Sequence, residues 1–234
     1  MADVTVSPRA PRAYRYYDLL MAAFATVQVC CQLIAAAKVV RVGPVAFGAG
    51  ALFFPLSYIF GDVLTEVYGY ARSRKVIWAG FAALAFATCM SWAVLGLPPD
   101  PSWPHQGAWA TVFGNSARIM VASLLAFLAG EWVNSVTLAK MKVRTGGRHL
   151  WMRTIGSTIV GEAVDSAIFY PLAFLGVWPT GVVWQVLGAN YVLKVATEVA
   201  FTPVTYRVVA FLKRAEDEDF YDVKTDFALL PRLS

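Results

Sequence analysis

FPLSYIFGDVLTEVYGY, residues 54–70, begins as an apolar membrane segment and then includes two carboxylates, Asp62 and Glu66. The two acids are four residues apart, so a helix through this stretch places them on one face. An acidic pair at the end of an apolar segment needs an explanation. That explanation depends on whether the rest of the chain crosses a membrane.

The composition indicates a membrane protein. Of the 234 residues, 58% are hydrophobic and only 15% are charged, and the mean hydropathy is +0.56. Soluble domains contain about 25% charged residues. Because a membrane span needs roughly 20 apolar residues, the sequence predicts an all-α integral membrane protein with six transmembrane helices, at 17–37, 45–68, 76–97, 118–139, 155–177 and 182–212.

The chain divides into one membrane domain and two short tails. We expect residues 17–212 to form the six-helix transmembrane domain, with tails at 1–16 and 213–234. About sixteen polar or basic residues precede the first apolar run, which argues against a cleavable signal peptide. No cofactor or metal site is predicted, because none of the three cysteines has metal-ligand spacing. We interpret them as small core residues: Cys30, Cys31 and Cys89.

The basic residues outside the spans predict the orientation. Sixteen Lys and Arg residues lie in the two tails, in the second and fourth connectors and, with Arg207, near the end of the last span, whereas the alternate connectors hold two, Lys38 and Arg41. By the positive-inside rule, both termini are then cytoplasmic. The net charge of +5 reflects this topology and gives no reason to expect nucleic-acid binding, because the basic residues are dispersed over several loops.

A set of charged residues falls within or at the ends of the predicted spans. A charge at the bilayer centre costs roughly 2.5–3.5 kcal/mol, so such residues tend to face the bundle interior, form pairs or line a watery cavity. Acids outnumber bases by six to two, and ion pairing alone therefore cannot neutralise the set: Asp62, Glu66, Glu131, Glu162, Asp165, Glu198, Arg118 and Lys194.

Several of these charges have a purely structural alternative. Lys194 and Glu198 have the four-residue spacing of an intrahelical ion pair. Arg118, at the start of the fourth span, can mark the outer membrane interface. Asp62 and Glu66 can form interfacial pairs with the three cations that follow their span, Arg72, Arg74 and Lys75.

The pattern favours a transporter over an enzyme or a channel. His105 and His149 fall on opposite sides of the predicted membrane, and the sequence has no nucleophile elbow, zinc-protease or phosphate-loop motif. It also lacks the like-charge ring or filter repeat of a channel. Different polar groups on several helices suit the recognition of one organic molecule. Glu162 and Asp165, three residues apart among apolar and small residues, are the hardest to explain by structural pairing.

Four stretches of the predicted spans carry a family resemblance. FPLSYIFGDVLTEVYGYARSRKVIW, EWVNSVTLAKMK, RTIGSTIVGEAVDSAIFYPLAF and NYVLKVATEVAFTPV resemble the bacterial queuosine precursor transporter family, also called the vitamin uptake transporter family. The resemblance extends over residues 17–212. It implies a six-helix protein of the bacterial inner membrane that imports a 7-deazaguanine base for tRNA queuosine synthesis: 7-cyano-7-deazaguanine, 7-aminomethyl-7-deazaguanine or queuine.

This resemblance gives the intramembrane polar residues a role in binding. A deazaguanine presents N1–H and an exocyclic amine side by side, which a carboxylate accepts in bidentate fashion. Asp165, together with Glu162 or Glu131, is expected to accept this edge. The flat ring suits an aromatic face, such as Trp132, Phe169, Tyr170 or Tyr191. The predicted substrate-binding residues are Glu131, Asn134, Glu162, Asp165, Tyr170, Asn190 and Lys194.

Three further acids are candidates for gating or coupling: Asp62, Glu66 and Glu198. Asp62 and Glu66 form a cytoplasmic-side element in this hypothesis, either a gate held by the following cations or part of the substrate route. Proton coupling and facilitated diffusion with metabolic trapping fit the sequence equally. A substrate-binding subunit of an energy-coupling-factor importer and a non-transporting membrane scaffold stay open as alternatives. A homodimer is expected from common oligomer symmetry.

Overall fold

The computed structural model describes residues 13–31, 39–42, 45–114 and 116–230. Within these residues the chain is almost entirely helical, as predicted, with one short antiparallel hairpin. The elements in chain order are α1 Tyr17–Cys30, β1 Val39–Val42, β2 Val45–Gly48, α2 Pro55–Tyr68, α3 Tyr70–Leu95, α4 Gln106–Phe113, α5 Ala117–Thr145, α6 Leu150–Phe174 and α7 Thr180–Glu216.

The second predicted helix is wrong over its first ten residues. Residues 45–48 form β2, which pairs with β1 so that Val42 faces Val45, and a 3-10 turn follows at Ala49–Leu52. Valine-rich segments favour strands, whereas Pro55 suits the first turn of a helix. Helix α2 therefore has 14 residues and a length of about 21 Å, less than the roughly 30 Å of a bilayer core.

The other predicted spans coincide with helices, although their bounds differ. The first, 17–37, is helical over Tyr17–Cys30, and residues 32–38 lie outside the described residues. The last four are helical over longer stretches than predicted, because charged and polar residues near their ends continue the helix. The connector between the third and fourth predicted spans contains the short helix α4, which the sequence analysis did not predict.

Several helices are apolar enough to cross a bilayer. By length and composition, three segments of the described chain qualify: Tyr70–Leu95, Gln106–Thr145, which contains α4 and α5, and Thr180–Glu216. Helix α6 has 25 residues, but charged and polar side chains lower its hydropathy. The chain is therefore a multi-pass membrane protein.

The distribution of side chains supports this class. Large apolar side chains point outward from α3, α5 and α7, including Phe86, Met90, Val121, Val192 and Val199. The interior, by contrast, holds ten buried charged residues from α2, α5, α6 and α7. Soluble proteins almost never bury such residues without partners, whereas a protein in lipid turns its charges toward the bundle interior.

Helix α2 lies at the centre of the bundle. It packs against α1, α3, α5 and α7, and twelve of its fourteen residues are buried. Its apolar residues form one core with side chains of the neighbouring helices, among them Val63, Leu64, Val67, Phe24 and Phe127. Both acids of the opening stretch are therefore at the centre of the molecule.

Both ends of the described chain lie at the same end of the bundle. The Tyr14 hydroxyl donates to Glu218 at 2.6 Å, and the Tyr16 N–H donates to Glu216 at 2.7 Å. The Tyr68 hydroxyl, at the last residue of α2, donates to the same Glu216 at 3.0 Å. We call this the tail end. It also contains Gly69, whose φ of +82° turns the chain from α2 into α3.

Candidate functional site

Seven polar residues from four helices form a buried core cluster. Each is at most 9% exposed. They are Asp62 of α2, Glu131 and Asn134 of α5, Glu162 and Asp165 of α6, and Lys194 and Glu198 of α7. Five are acids and one is a base. All seven were predicted from the sequence as binding, gating or coupling residues, and the structure brings them together.

Lys194 pairs with two acids of another helix. Its ammonium nitrogen lies 2.8 Å from a Glu162 oxygen and 2.9 Å from an Asp165 oxygen, and 3.9 Å from the centre of the Phe54 ring. The intrahelical pair of Lys194 with Glu198 is therefore wrong. Side chains of a helix lean toward its N-terminus, which takes the Lys194 ammonium away from Glu198. Glu162 and Asp165, one turn apart on α6, together bind this ammonium more strongly than a single carboxylate would.

A second polar contact joins α2 to α5. The amide nitrogen of Asn134 donates to Oδ1 of Asp62 at 2.8 Å. The other carboxylate oxygen of Asp62 and the amide oxygen of Asn134 are buried without a hydrogen-bond partner among the described residues. The pair thus has two acceptor atoms available to a further donor.

Glu131 and Glu198 have the most open hydrogen-bonding capacity in the cluster. Both oxygens of each carboxylate are buried and have no hydrogen-bond partner within the described chain. The nearby Tyr58 hydroxyl is in the same condition. Buried polar groups in proteins are nearly always hydrogen-bonded. A concentration of unpaired acceptors at one place is therefore typical of a binding site.

Three glycines let the helices approach one another around these acids. A Cβ on Gly61 would lie 2.7 Å from an oxygen of Glu131, and one on Gly161 would lie 2.8 Å from Cβ of Asn134. A Cβ on Gly130 would lie 2.8 Å from the Tyr58 hydroxyl and 2.9 Å from Cβ of Asp165. Small residues at helix interfaces permit such packing in membranes. These glycines were not predicted from the sequence.

The remaining predicted site residues are not members of the core cluster. Tyr170 is buried on α6 and packs against Phe169, with ring centres 5.1 Å apart. Asn190 donates to the Val186 carbonyl of its own helix at 2.9 Å, and among the described residues no hydrogen bond joins it to the core cluster. Trp132, one of the proposed aromatic faces, donates its indole N–H to the Phe227 carbonyl at 3.1 Å. Phe54, which the sequence analysis did not single out, supplies the ring nearest to Lys194.

A second group of charges, the end cluster, surrounds Glu66 toward the tail end. It consists of Glu66, Lys142, Arg153, Lys213 and Asp219. Arg153 binds Glu66 through two nitrogens, at 2.7 Å and 2.8 Å, and Lys213 binds it at 2.6 Å. Lys142 lies 3.5 Å from the same carboxylate and donates to the Glu66 carbonyl at 2.5 Å. Helices α2, α5, α6 and α7 are thereby joined at Glu66.

The predicted pairing of Asp62 and Glu66 with the cations that follow them is wrong. Arg72 donates to the Tyr68 carbonyl and lies over the Tyr14 ring, and Arg74 donates to the Ala228 carbonyl at 2.7 Å. The turn at Gly69 reverses the chain, so the first turns of α3 point these side chains away from the acids. Arg118, likewise, donates to backbone carbonyls of Leu172 and Leu175 at the opposite end of the bundle.

Asp219, which follows α7, supplies the second acid of the end cluster. It lies 2.5 Å from the Lys142 nitrogen and 2.8 Å from the Lys213 nitrogen. Partial burial opposes ionisation, but these two hydrogen-bonded cations lower the pKa of its carboxyl below the ordinary value. Asp219 is therefore ionised at neutral pH, and it balances charge that Glu66 alone leaves uncompensated.

A helical membrane protein with a buried, acid-rich cluster and unpaired acceptors has the features of a transporter of small polar molecules. Within the described chain, no group of three His, Cys, Asp or Glu side chains is arranged to hold a metal ion. The chain belongs to the family described as "Putative vitamin uptake transporter", whose model matches residues 48–208. It is a transporter, not an enzyme.

Two proteins that have similar names each match more than two thirds of this chain. The chain is 33% identical over 184 residues, 78% of this chain and 79% of the relative, to a Bacillus subtilis protein named "Probable queuosine precursor transporter". It is 27% identical over 177 residues, 72% of this chain and 76% of the relative, to the "Queuosine precursor transporter" of Escherichia coli. No solved structure matches the chain.

Proposed function

We propose that this protein imports queuosine precursors, bases of the 7-deazaguanine class, across the bacterial inner membrane for tRNA modification. The proposal is supported by the family membership and by the names of both relatives. The candidate substrates are 7-cyano-7-deazaguanine, 7-aminomethyl-7-deazaguanine and queuine. All three share the N1–H and exocyclic amine edge of guanine.

The proposed topology has six transmembrane helices, α1, α2, α3, α5, α6 and α7, with both tails in the cytoplasm. Both tails meet at one end of the bundle, which requires an even number of crossings. Helix α4, with eight residues and a length of about 12 Å, is too short to cross. The excess of Lys and Arg in the tails and in the connectors at that end supports a cytoplasmic tail end.

Glu131 is the residue that best fits the guanine-like edge. Its two oxygens are both buried, with no hydrogen-bond partner among the described residues, as a bidentate acceptor for two adjacent N–H donors requires. Asp165, the first choice from sequence, already binds Lys194 through one oxygen. The assignment of Glu131 to the guanine-like edge rests on this one observation, that both its carboxylate oxygens are buried without a hydrogen-bond partner among the described residues.

The rest of the core cluster completes the proposed site. Lys194 can donate to the carbonyl of the base, and its pairing with Glu162 and Asp165 fixes its position. Phe54 and Tyr58 lie beside these groups, and each offers an aromatic face. The amide oxygen of Asn134, which accepts no hydrogen bond from the described residues, can accept from a further donor. Tyr170 stays a candidate at the edge of the site, whereas Asn190 needs a rotation of its side chain to take part.

Two acids of the core cluster are candidates for coupling transport to protons. Within the part of the chain that the structure describes, Asp62 has one unpaired oxygen and Glu198 has two, and their charges act on each other. Intramembrane carboxylates of this kind form the proton relays of many transporters. Facilitated diffusion followed by metabolic trapping needs no such coupling and fits the same arrangement.

The first test is uptake of labelled 7-cyano-7-deazaguanine by proteoliposomes that contain only this protein. Guanine and queuine serve as competitors. Glu131→Gln replaces one acceptor with a donor, so we expect about ten- to hundred-fold lower uptake at limiting substrate, from a loss of about 1.5–3 kcal/mol. Asp100→Asn, the same kind of change in an exposed loop, serves as the matched control and should retain full uptake.

The outcomes distinguish the functions that the sequence left open. Saturable uptake that deazaguanines inhibit supports the proposal. Binding without uptake indicates the substrate-binding subunit of a partner-dependent importer. Neither binding nor uptake contradicts the proposal and favours the scaffold. Normal uptake by Glu131→Gln would remove that residue from the site while leaving the function intact.

A further inference from the structure

The chain after α7 lies across the tail end of the bundle. We call residues 217–230 the tail segment. It begins at Asp217, which ends α7 in a left-handed conformation with φ of +47°. The Phe220 N–H donates to the Val67 carbonyl at 3.2 Å, and both oxygens of Asp222 accept from the Tyr70 N–H, at 3.0 Å and 3.2 Å. The segment is thus anchored where α2 turns into α3.

Further along, four side chains of the bundle bind the backbone of the tail segment. Tyr70 and Arg74 donate to the Ala228 carbonyl, at 2.9 Å and 2.7 Å. Trp78 donates to the Leu229 carbonyl at 3.0 Å, and Trp132 donates to the Phe227 carbonyl at 3.1 Å. Exposed termini are usually poorly ordered unless they are tied down. Here α3 and α5 both hold the segment.

Two residues of the tail segment complete the end cluster. Asp219 binds the two lysines of α5 and α7, and the Phe220 carbonyl accepts a third hydrogen bond from Lys142 at 2.9 Å. The Phe220 ring occupies the space against Gly69 that a Cβ would fill. Lys142 is only 1% exposed. Release of the segment would expose it and remove three of its contacts: Asp219, Phe220 and the Tyr221 ring.

The end cluster lies between the core cluster and the tail end. Glu66 is one helical turn beyond Asp62 on α2, and Lys142 is two turns beyond Asn134 on α5. A substrate that leaves the core cluster toward the tail end must therefore pass the charges around Glu66. In the present arrangement, ion pairs and the tail segment fill that route.

We infer that the tail segment closes the cytoplasmic exit of the transport route, and that Asp219 and Phe220 are gating residues whose release precedes substrate exit. This inference rests on the proposed function for the identity of what passes and on the proposed orientation for the word cytoplasmic. The closure itself follows from the contacts of the tail segment with α2, α3 and α5.

The test measures access to Ser135, a buried residue at the depth of the end cluster. Its hydroxyl lies 3.2 Å from those of Thr65 and Ser73, and Thr65 precedes Glu66. In a background with Cys30, Cys31 and Cys89 replaced by Ala, Ser135→Cys is labelled with a membrane-impermeant maleimide added to inside-out vesicles. No substrate is needed, so the result does not depend on the proposed function.

Four variants of the tail segment are compared in this background. Asp219→Asn and Phe220→Ala weaken the closure, and we expect labelling about five-fold faster, the factor that corresponds to about 1 kcal/mol in the opening equilibrium. Asp219→Glu keeps the charge and should react at nearly the parent rate. Lys224→Gln changes an exposed charge of the same segment and is the matched control. Melting temperature in detergent confirms that each variant is folded.

The two weakening variants decide the inference. Faster labelling in both, with Asp219→Glu and Lys224→Gln close to the parent, supports the gate. Equal labelling rates in folded Asp219→Asn and Phe220→Ala overturn it. Uptake of labelled deazaguanine by the same vesicles is measured separately. Lack of uptake by the parent with the labelling difference intact contradicts the proposed function and leaves the closure established.

Discussion

At the scale of single residues, each of the three glycines that border the core cluster immediately precedes an acid of that cluster. The dipeptides are Gly61-Asp62, Gly130-Glu131 and Gly161-Glu162. The glycine lets a neighbouring helix approach, and the acid that follows is held in the narrow interior that this approach creates. Such a dipeptide inside an apolar helix is a signal that sequence analysis could have used, since glycine is unfavourable in helix interiors without a packing role.

Gly61→Ala tests this arrangement without changing any charge. The new Cβ would lie 2.7 Å from a Glu131 oxygen, so the carboxylate must move from its place beside α2. We expect substrate affinity to fall about ten-fold, which is about 1.4 kcal/mol. Gly107→Ala is the matched control, because a Cβ there meets nothing within 4 Å. Equal binding affinities in the two variants would show that the position of Glu131 is unimportant.

The sequence identified the acids of the site but not their partners. Helical spacing relates residues of one helix, so it paired Lys194 with Glu198 and Asp62 with the cations that follow α2. The partners in the structure come from other helices, as with Arg153 and Glu66. Which helices meet depends on packing, which the spacing within one helix does not contain.

At the scale of elements, α2 departs most from what hydropathy predicts. The apolar run 45–68 is long enough for a span, yet it divides into a strand, a 3-10 turn and a 14-residue helix. Hydropathy measures only the apolar content of a run, so it does not distinguish a strand, a turn and a helix. The helix begins beside Phe54, next to Lys194, so the break lies at the core cluster. Discontinuous helices at the binding site are a known feature of secondary transporters.

The junction of α2 and α3 provides a test of how the tail segment is held. Gly69, with φ of +82° and ψ of +165°, has a backbone conformation that is essentially limited to glycine, and the Phe220 ring fills its side-chain space. We expect Gly69→Ala to destabilise the protein by about 1–3 kcal/mol from backbone strain, and to displace Phe220 as well. The readouts are melting temperature and labelling of Ser135→Cys.

Gly146→Ala is the comparison variant for Gly69→Ala, because it introduces backbone strain without displacing the tail segment. Gly146 also has a positive φ, +56°, but a Cβ there meets nothing within 4 Å. It should lower the melting temperature without accelerating the labelling. Adding Phe220→Ala to Gly69→Ala should recover the part of the lost stability that comes from the clash. Identical labelling in the two glycine variants would mean that Phe220 is not held by this contact.

At the scale of the whole molecule, composition was the most informative feature of the sequence. The apolar excess and the buried charges follow from one requirement, that lipid contacts the outside and polar groups face inward. The sequence therefore predicted the class, and its apolar runs coincide with six of the helices. The hairpin and the path of the tail segment could not be predicted in this way. The hairpin pairs neighbouring residues whose apolar content also suits a helix. The path of the tail segment depends on contacts with distant residues, such as the four donors that bind residues 227–229.

The placement of both tails at one end leads to a prediction about orientation. In the background without native cysteines, single cysteines are introduced at three exposed positions, Ala13, Ser102 and Lys224. An impermeant maleimide added to spheroplasts should label Ser102→Cys alone, since the connector that contains it has no Lys or Arg. In inside-out vesicles, Ala13→Cys and Lys224→Cys should react instead.

Reaction of Ala13→Cys and Lys224→Cys from opposite sides would contradict an even number of crossings. Reaction of all three from one side would place the connector that contains Ser102 on the same face as the tails. The reversed pattern would keep the six crossings and invert the molecule, so that the end cluster and the tail segment would close the outer face.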